Sequence, residues 1–190
     1  MKNTGYFFDL LEQSRVSLFG YTAKDERIKD EIISKIPHLE IGEIDSSFSF
    51  KSMMRNIKLE HVLDGREISI KSPTWIILDV NSIRLCRVNL GEKQKVIRHV
   101  VENIRESLFK DIPDYRLLIV TQTYRNLDTN NIVDSFIGGS TPVYMSDLVF
   151  ILKDGNVKIM KNRFGDNDID ISLDDLKDYQ YICNYETSNK

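Results

Sequence analysis

Cysteine is scarce in this chain: only Cys86 and Cys183 occur among 190 residues, without a CxxC pair. Two isolated thiols exclude a disulfide framework and a zinc cluster, so we expect both to be buried. Long apolar runs are also lacking, since no stretch approaches the roughly 18 residues of a membrane span. The brief apolar stretch near the start contains Asp9 and Glu12, unlike a signal peptide. These absences predict a cytoplasmic protein with no membrane partner.

A strong charge imbalance is lacking as well. The formal net charge is −3 and the sequence pI is about 5.7, which excludes a globally basic nucleic-acid binder but leaves room for a local basic face. His38, His61 and His99 show no metal-ligand spacing. Internal repeats and low-complexity linkers are absent, and the length suits one domain. We therefore expect a single folded unit over residues 1–190.

Helical and strand patterns alternate along most of the chain. Apolar spacing predicts helices over 3–14, 24–36, 48–63 and 91–112, and strands over 15–21, 39–44, 74–80 and 115–122. Such alternation is typical of crossovers in a mostly parallel sheet. After residue 147, two strands flank the hairpin signal Lys153-Asp154-Gly155-Asn156. We predict an α/β fold of three α/β/α layers, with a mostly parallel central sheet and a C-terminal antiparallel hairpin.

The acidic run GDNDIDISLDDL, residues 165–176, lacks the ligand spacing and closing glutamate of an EF-hand. It is therefore predicted to be a solvated turn before a short helix.

Two of the predicted parallel strands end in polar residues: Asp79 closes WIILD and Gln122 closes LLIVTQ. Ligands of open α/β sheets gather at the carboxyl ends of the strands. An acid there could organise a magnesium ion beside nucleotide phosphates, and a carboxamide could sense a phosphate or a bound water. A turn-forming aspartate and a glutamine that satisfies loop backbone are the alternatives, and both stay open.

Read in order, these pieces resemble a known superfamily. The segments WIILD, a long helix, LLIVTQTYR, a polar loop, IGGSTPVYMSDLVFIL and VKIMKNRFG are similar to the later half of the RecA-type ATPase core. That core is shared by RecA recombinases, UvsX-like phage recombinases and DnaB-type replicative helicases. In UvsX-like proteins a Thr-Tyr pair, a mobile DNA-binding loop and a Gly-Gly segment also follow the sensor strand. The resemblance covers about residues 2–165 and implies a RecA-like domain with 166–190 as a C-terminal extension.

The resemblance implies a DNA-binding loop at RNLDTNNIVDS, residues 125–135, with a glycine hinge at its return. The implied DNA-binding residues are Arg125, Asn130, Asn131, Phe136, Gly138 and Gly139. With one arginine and two acids in the loop, attraction to phosphates should be modest. Phe136 either stacks on a base or belongs to the core.

The resemblance also implies nucleotide contacts. Lys161 and Arg163 of KNRFG are similar to the Lys-x-Arg-x-Gly element of hexameric helicases, whose cations reach a phosphate held by the neighbouring subunit. A solvated strand end is the alternative. The start, MKNTGYFFDLL, resembles the lysine end of a P-loop, which would make Lys2 and Thr4 nucleotide ligands. However, the motif GxxxxGK[ST] occurs nowhere in the chain.

The catalytic glutamate of the family is missing too, unless Asp25 or Glu26 takes its place. The resemblance therefore implies a partial or degenerate RecA-like protein of DNA recombination or replication that does not hydrolyse ATP independently. Its partners would be single-stranded DNA and another RecA-type subunit or a second copy of itself. ATP and Mg²⁺ would be cofactors if a partner supplies the P-loop, with Asp79 as the metal-organising acid and Gln122 as the sensor.

Two other functions remain open. One is a non-enzymatic adaptor or inhibitor that docks on a related RecA-type ATPase, and the other is an unrelated small α/β enzyme.

Overall fold

An eight-stranded mixed sheet forms the centre of the molecule. The computed structural model describes residues 2–45, 48–53, 55, 75–84, 90–111, 115–126 and 133–181. The strands are β1 (Val16–Tyr21), β2 (His38–Glu40), β3 (Trp75–Asp79), β4 (Arg116–Asn126), β5 (Val133–Phe136), β6 (Leu148–Lys153), β7 (Asn156–Asn162) and β8 (Ile169–Ser172). Their order is β2-β3-β4-β1-β6-β7-β8, with β5 paired to β4 off this path.

The sheet is parallel over β1, β2, β3, β4 and β6, whereas β7 and β8 each run antiparallel to the preceding strand. Helices cover both faces. They are α1 (Thr4–Gln13), α2 (Glu26–Ser34), α3 (Leu90–Asn103), α4 (Phe109–Asp111) and α5 (Thr141–Met145), with a helical segment at 50–53 and a π-helical turn at Ile104–Leu108 between α3 and α4. The predicted three-layer α/β/α fold with a C-terminal antiparallel pair is confirmed.

Two apolar cores lie on the two faces of the sheet, because successive strand residues point to opposite sides. The first core joins α1 and α2 to one face and includes the fully buried Trp75 and Phe19. The second core joins α3 to the other face through residues such as Ile97. Burial on both faces explains why β1 and β3 read as nearly continuous apolar runs.

Local signals in the sequence account for several element ends. The side chain of Asn3 caps α1 by accepting from the Tyr6 amide at 3.2 Å, and Ser49 accepts from the Ser52 amide at 3.3 Å at the start of the helical segment 50–53. The turn between β6 and β7 has positive φ at both central residues, which are Asp154 at 50° and Gly155 at 77°. This is the backbone that the Asp-Gly hairpin signal predicts.

Asp147, just before β6, makes hydrogen bonds that connect three strands. Its amide donates to the Val16 carbonyl at 2.7 Å, and its carboxylate accepts from the Val16 amide at 3.3 Å and from the Arg163 guanidinium at 2.8 Å. A single aspartate therefore joins the starts of β1 and β6 to the end of β7.

Two sequence predictions of local structure are wrong. The predicted loop at 125–135 is strand at both ends, because 125–126 belong to β4 and 133–135 belong to β5. The predicted turn and short helix at 165–176 contains β8, whose Ile171 is fully buried. The described part of the predicted C-terminal extension, residues 166–181, therefore contributes a strand to the sheet and, through Leu176 and Tyr179, side chains to the first core.

Within the described ranges, no helix has the length and apolar character needed to cross a bilayer. The same part of the chain holds no group of three or more His, Cys, Asp or Glu side chains suited to a metal ion. The predictions made for Cys86, Cys183, His61, Asn130 and Asn131 fall outside the described residues.

Candidate functional site

The carboxyl ends of the parallel strands meet at one edge of the sheet, which we name the carboxyl edge. Tyr21 closes β1 opposite Gln122 of β4, and Asp79 closes β3 opposite Val120. All three polar side chains project on the first-core face, because the strand residues two positions before them, such as Ile77 and Val120, pack in that core. From strand geometry, the Cα atoms of Asp79 and Gln122 are about 8 Å apart. The structure therefore brings the two predicted strand-end residues together.

Asp79 organises the turn that follows β3. Its Oδ1 accepts from the Asn81 amide at 2.8 Å, and its carbonyl accepts from the Ser82 hydroxyl at 2.7 Å. The Asn81 side chain in turn donates to the Tyr21 hydroxyl at 3.3 Å. The turn-forming role considered from the sequence is thus present, and it leaves the carboxylate at the carboxyl edge.

A cleft of about 280 Å³ lies beside Asp79, and we name it the acidic cleft. Its lining residues are Lys29, Asp30, Ile33, Glu40, Ile41, Gly42, Glu43, Ile77, Asp79, Ser82 and Val120. Four of these side chains are carboxylates and one is an ammonium group. The Arg84 guanidinium lies 2.9 Å from the Glu43 carboxylate and adds a second cation beside the cleft. The four carboxylates still outnumber the cations, so the cleft attracts cations, and a bound metal ion would favour the entry of a phosphate group.

Lys29 balances part of this negative charge. Its ammonium group lies 2.6 Å from the Asp30 carboxylate and 5.0 Å from the centre of the Tyr21 ring. Burial lowers the pKa of Lys29, but the hydrogen bond and charge of Asp30, aided by Asp79, outweigh burial and raise it above 10.5. Burial raises the pKa of Tyr21 above 10.0. The charge of Lys29 opposes this shift, and the charge of Asp79 adds to it. Both groups therefore keep their protons into the alkaline range.

A topological switch point lies between β1 and β4. These strands are adjacent and parallel. After β1 the chain passes over the first-core face, where Ile32 of α2 is buried, whereas after β4 it passes over the second-core face, where Val143 and Met145 of α5 pack. Connections that leave neighbouring strands toward opposite faces open a crevice at their carboxyl ends, and ligands of open α/β sheets bind in such crevices.

A cleft of about 350 Å³ occupies this crevice, and we name it the switch-point cleft. It is lined by Thr22, Ala23, Lys24, Thr123, Tyr124, Lys153 and Asp154. These residues come from the turn after β1, from β4 and from the β6–β7 hairpin. Sequence reasoning assigned none of them to a site, because their proximity depends on the strand order, although the Thr123-Tyr124 pair and the hairpin were both visible as motifs.

Asp25 fixes the wall of the switch-point cleft. The residue is only 3% exposed. Its carboxylate accepts from the Thr22 hydroxyl and, at 3.1 and 3.0 Å, from the amides of Asp154 and Gly155. The turn after β1 is thereby tied to the β6–β7 hairpin. Because both carboxylate oxygens already accept hydrogen bonds within the chain, the observed role of Asp25 is structural, and nothing in its geometry favours the catalytic role that the resemblance left open for it.

Lys2 and Thr4 lie far from Asp79. Lys2 bridges Ile171 of β8, which puts it six strand positions from β3, on the order of 25 to 30 Å at the usual strand spacing. Thr4 is fully buried, and its hydroxyl donates to Asp175. A phosphate beside Asp79 is therefore out of reach of both residues, because the N-terminus pairs with the opposite side of the sheet.

Lys161 and Arg163 lie at the amino edge of the sheet, where Asn162 pairs with the first residue of β6. The Lys161 ammonium group donates to the carbonyl groups of Val143 and Ser146 at 3.0 and 2.7 Å. Burial lowers the pKa of Lys161, and the charge of Arg163 lowers it further. Within one chain these cations stand at the opposite edge from Asp79 and Gln122, so only a neighbouring molecule could bring the two sets together.

The described ends of the predicted DNA-binding segment pair as a two-stranded antiparallel ribbon. Its arms are residues 123–126 of β4 and 133–136 of β5, and the backbone of Arg125 lies opposite that of Asp134. Since β1 ends at Tyr21, the arm of β4 extends about 13 Å beyond the parallel sheet. The Thr121 hydroxyl donates to the Ile137 carbonyl at 2.6 Å at the root of the ribbon. The two described arms of the ribbon therefore project from the carboxyl edge.

Phe136 anchors the ribbon to β1. A Cβ atom built on Gly20 would lie 2.5 Å from the ring of Phe136, and this partly buried ring also packs against the second core. Of the two sequence interpretations of Phe136, packing is observed. Gly138 and Gly139 follow with φ of 109° and 73°, a backbone that glycine adopts readily.

No protein-family model matches the chain, and no curated protein matches it either. The assignment of function therefore rests on the geometry of the carboxyl edge.

Proposed function

We propose that this protein is a RecA-like, cytoplasmic protein of DNA recombination or replication that binds single-stranded DNA through the ribbon and does not hydrolyse ATP by itself. The observation that carries the proposal is the position of the ribbon. It continues β4 directly beyond Gln122, on the strand next to the one that ends in Asp79. A DNA-binding projection and a nucleotide-sensing edge would thus share one strand.

The carboxyl edge suits a nucleotide only in part. The turn after β1, residues 22–25, contains no glycine and is too short for a loop of amides that surrounds phosphates. Asp79 fits a magnesium ion of the kind that keeps several waters and is otherwise bound by nucleotide phosphates. Such an ion would neutralise phosphate charge in the acidic cleft. Another RecA-type subunit, or a second copy of this chain, would supply the remaining phosphate contacts.

The ribbon can be tested by removing its tip while keeping its arms. Replacing residues 127–132 with Asn-Gly joins Asn126 to Val133, which already pair across the ribbon, through a two-residue hairpin turn. The replaced segment LDTNNI carries one acid and no base, so its removal makes the net charge less negative. Loss of binding to labelled single-stranded DNA could then not be attributed to charge.

The expected result is at least a tenfold loss of affinity in fluorescence anisotropy, with an unchanged melting temperature. The control variant is Asn156→Asp, which adds one negative charge at an exposed position of the β6–β7 hairpin and leaves the ribbon intact. It should bind DNA within about twofold of wild type, since one exposed charge contributes little. Binding that is unaffected by the shortened tip would refute the assignment of the ribbon to DNA.

The nucleotide role of Asp79 is tested separately. With a purified RecA-type ATPase present, Asp79→Asn should abolish magnesium-dependent nucleotide binding that depends on this chain, because the amide cannot replace a charged metal ligand. Asn81→Ala is the matched control, since it removes the neighbouring side chain and keeps the carboxylate. Equal nucleotide binding by wild type and Asp79→Asn would contradict the role.

A second candidate is a non-enzymatic adaptor or inhibitor that docks on a RecA-type ATPase. It is favoured by three exposed side chains on α5 and around the end of β7, namely Tyr144, Met160 and Phe164, which are 75%, 43% and 53% exposed. Exposed apolar groups of this size near Arg163 are suited to a protein interface. Tyr144→Ser combined with Phe164→Ser should then abolish co-sedimentation with the ATPase, while the shortened ribbon should not; the reverse pattern would exclude the adaptor.

A further inference from the structure

We propose that an exposed surface at the amino edge of the sheet docks a short segment of a partner protein that carries carboxylates beside large apolar side chains. The surface consists of Arg105, Tyr144, Met160, Arg163 and Phe164, and we name it the amino-edge patch. Neither DNA binding by the ribbon nor the magnesium ion at the carboxyl edge enters this inference. It states the chemistry of the partner, and it holds whether or not that partner is the RecA-type ATPase of the second candidate function.

The first step is how the patch is assembled. The Lys161 ammonium group donates to the carbonyl groups of Val143 and Ser146 at 3.0 and 2.7 Å, which holds α5 against the end of β7. Tyr144 lies between these two acceptors in sequence, and Met160 precedes the lysine. The exposed side chains of the helix and of the strand are therefore neighbours on a support that Lys161 fixes.

The second step is charge. The Arg105 guanidinium donates to the Met145 carbonyl at 2.7 Å, and the Arg163 guanidinium donates to the Asp147 carboxylate at 2.8 Å. These two acceptors are two positions apart in sequence, so their Cα atoms are at most about 7 Å apart. Both arginines are exposed, whereas the Asp147 side chain is only 12% exposed. Because a guanidinium has five N–H donors, both groups can still bind an incoming carboxylate.

The third step is the choice between an acidic peptide and a nucleic acid, since guanidinium groups bind carboxylates and phosphates alike. Single-stranded nucleic acid requires a positive groove that follows its backbone over several nucleotides. Here exposed carboxylates lie close in sequence to the two arginines, at Glu102, Glu106 and Asp166. The positive charge is therefore confined to one spot. A segment with one or two carboxylates fits that spot, whereas a long polyanion would meet repulsion at its borders.

The fourth step is the apolar part of the patch. Tyr144, Met160 and Phe164 are three of the four exposed large hydrophobic side chains among the described residues, at 75%, 43% and 53% exposure. A cluster of such groups marks an interaction surface, and tyrosine, methionine and arginine are enriched in protein interfaces. The unbranched methionine side chain adapts to the shape of its partner. The docked segment should therefore carry leucine or phenylalanine next to its carboxylates.

The test is fluorescence anisotropy of the full chain with a labelled synthetic peptide that alternates pairs of aspartate with leucine and phenylalanine. Wild type should bind this peptide in the micromolar range. The same peptide with asparagine for every aspartate should bind about tenfold more weakly, because its charge-assisted hydrogen bonds are lost. Alanine in place of the apolar residues should cause a similar loss. Equal binding of the three peptides, or no binding at millimolar concentration, would overturn the inference.

Substitution of the two arginines locates the binding site. Arg105→Gln combined with Arg163→Gln should weaken binding of the acidic peptide by about tenfold. The control Arg27→Gln with Arg98→Gln makes the same change in net charge at exposed positions of α2 and α3. It should leave the affinity within about twofold, because charges outside the contact are screened. An equal loss in both variants would show general charge attraction and overturn the assignment to the patch.

Tyr144 keeps the test decisive if the arginine variant fails to fold, because a side chain that is 75% exposed can be changed without disturbing the core. Tyr144→Ser should weaken peptide binding by about fivefold, whereas Tyr144→Phe should stay within about twofold of wild type, since the ring makes the contact. Wild-type affinity in Tyr144→Ser would exclude the patch as the docking surface.

Competition with DNA separates the patch from the ribbon. The two lie at opposite edges of the sheet, and the six residues of β1 span about 20 Å between them. Oligothymidylate should therefore leave the peptide bound, and a failure of the ribbon to bind DNA would not change the peptide result. Displacement of the peptide by oligothymidylate, with both ligands lost in the arginine variant, would assign the patch to nucleic acid and overturn the inference.

Discussion

Replacing Gly20 with alanine should push the ribbon away from β1. The added Cβ would lie 2.5 Å from Cε1 of Phe136 and 2.9 Å from Cγ2 of Thr123, whereas carbon atoms in contact stay about 3.5 to 4 Å apart. Relief therefore requires a movement of about 1 Å at Phe136. Overpacking of this kind costs about 1 to 3 kcal/mol, and the lower entropy of the unfolded alanine chain offsets about 0.4 to 1 kcal/mol.

The net destabilisation of Gly20→Ala should be about 1 to 2 kcal/mol, which lowers the melting temperature by about 2 to 8 °C in a chain of this length. Differential scanning calorimetry measures it. Gly42→Ala is the matched control, because nothing lies within 4 Å of its added Cβ. The cause is identified by Phe136→Ala: once the ring is gone, adding Gly20→Ala should cost less than about 0.5 kcal/mol more. Additive losses in the double variant would refute a clash between these two residues.

Three further changes test other parts of the site. Asp25→Ala should destabilise the fold by about 3 kcal/mol, because it removes the shared acceptor of two backbone amides at the β6–β7 turn; a loss below 1 kcal/mol in urea denaturation would contradict this role. Tyr21→Phe should flatten the alkaline loss of stability: the folded pKa of Tyr21 is raised, so the unfolded chain releases that proton first and wild-type stability falls as pH rises above 10.0. An identical stability profile above that pH in both proteins would contradict the shift. Gly138→Ala, at φ 109° and with its new Cβ 3.1 Å from Ile97 Cδ1, should cost at least 1 kcal/mol more than Gly42→Ala in thermal melts, owing to left-handed strain; equal melting temperatures would show that the backbone relaxes.

The sequence predicted the fold well where periodicity was strong. The apolar runs ending at Tyr21 and Asp79 became central strands because both of their faces are covered, and the Asp-Gly turn of the β6–β7 hairpin formed with the expected positive φ values. The prediction failed for β8 because Ile169 and Ile171, which alternate as in a strand, are surrounded by aspartates. The acidic composition of residues 165–176 concealed this two-residue alternation. Pairing with β7, which no local signal specifies, decides that segment.

Only those site residues that end a single recognisable strand could be predicted from the sequence. Asp79 and Gln122 were found because each ends an apolar run, and parallel strands put such ends at one edge. The switch-point cleft was missed because Lys24 and Lys153 are 129 positions apart in sequence and become neighbours only through the order β4-β1-β6. The N-terminal lysine was misplaced for the converse reason: its local sequence resembles a phosphate loop, but Lys2 pairs with β8.

The double pairing of β4 has a mechanical consequence. Residues 116–122 of β4 pair with the neighbouring parallel strands, and residues 123–126 of the same strand form one arm of the ribbon, without a break in the backbone between them. A ribbon that rotates relative to the sheet would need a hinge at that boundary. Gln122 and Thr123 instead continue one extended strand. A force applied to the ribbon would therefore be transmitted along β4 to the centre of the sheet, beside Tyr21 and Asp79, which end β1 and β3.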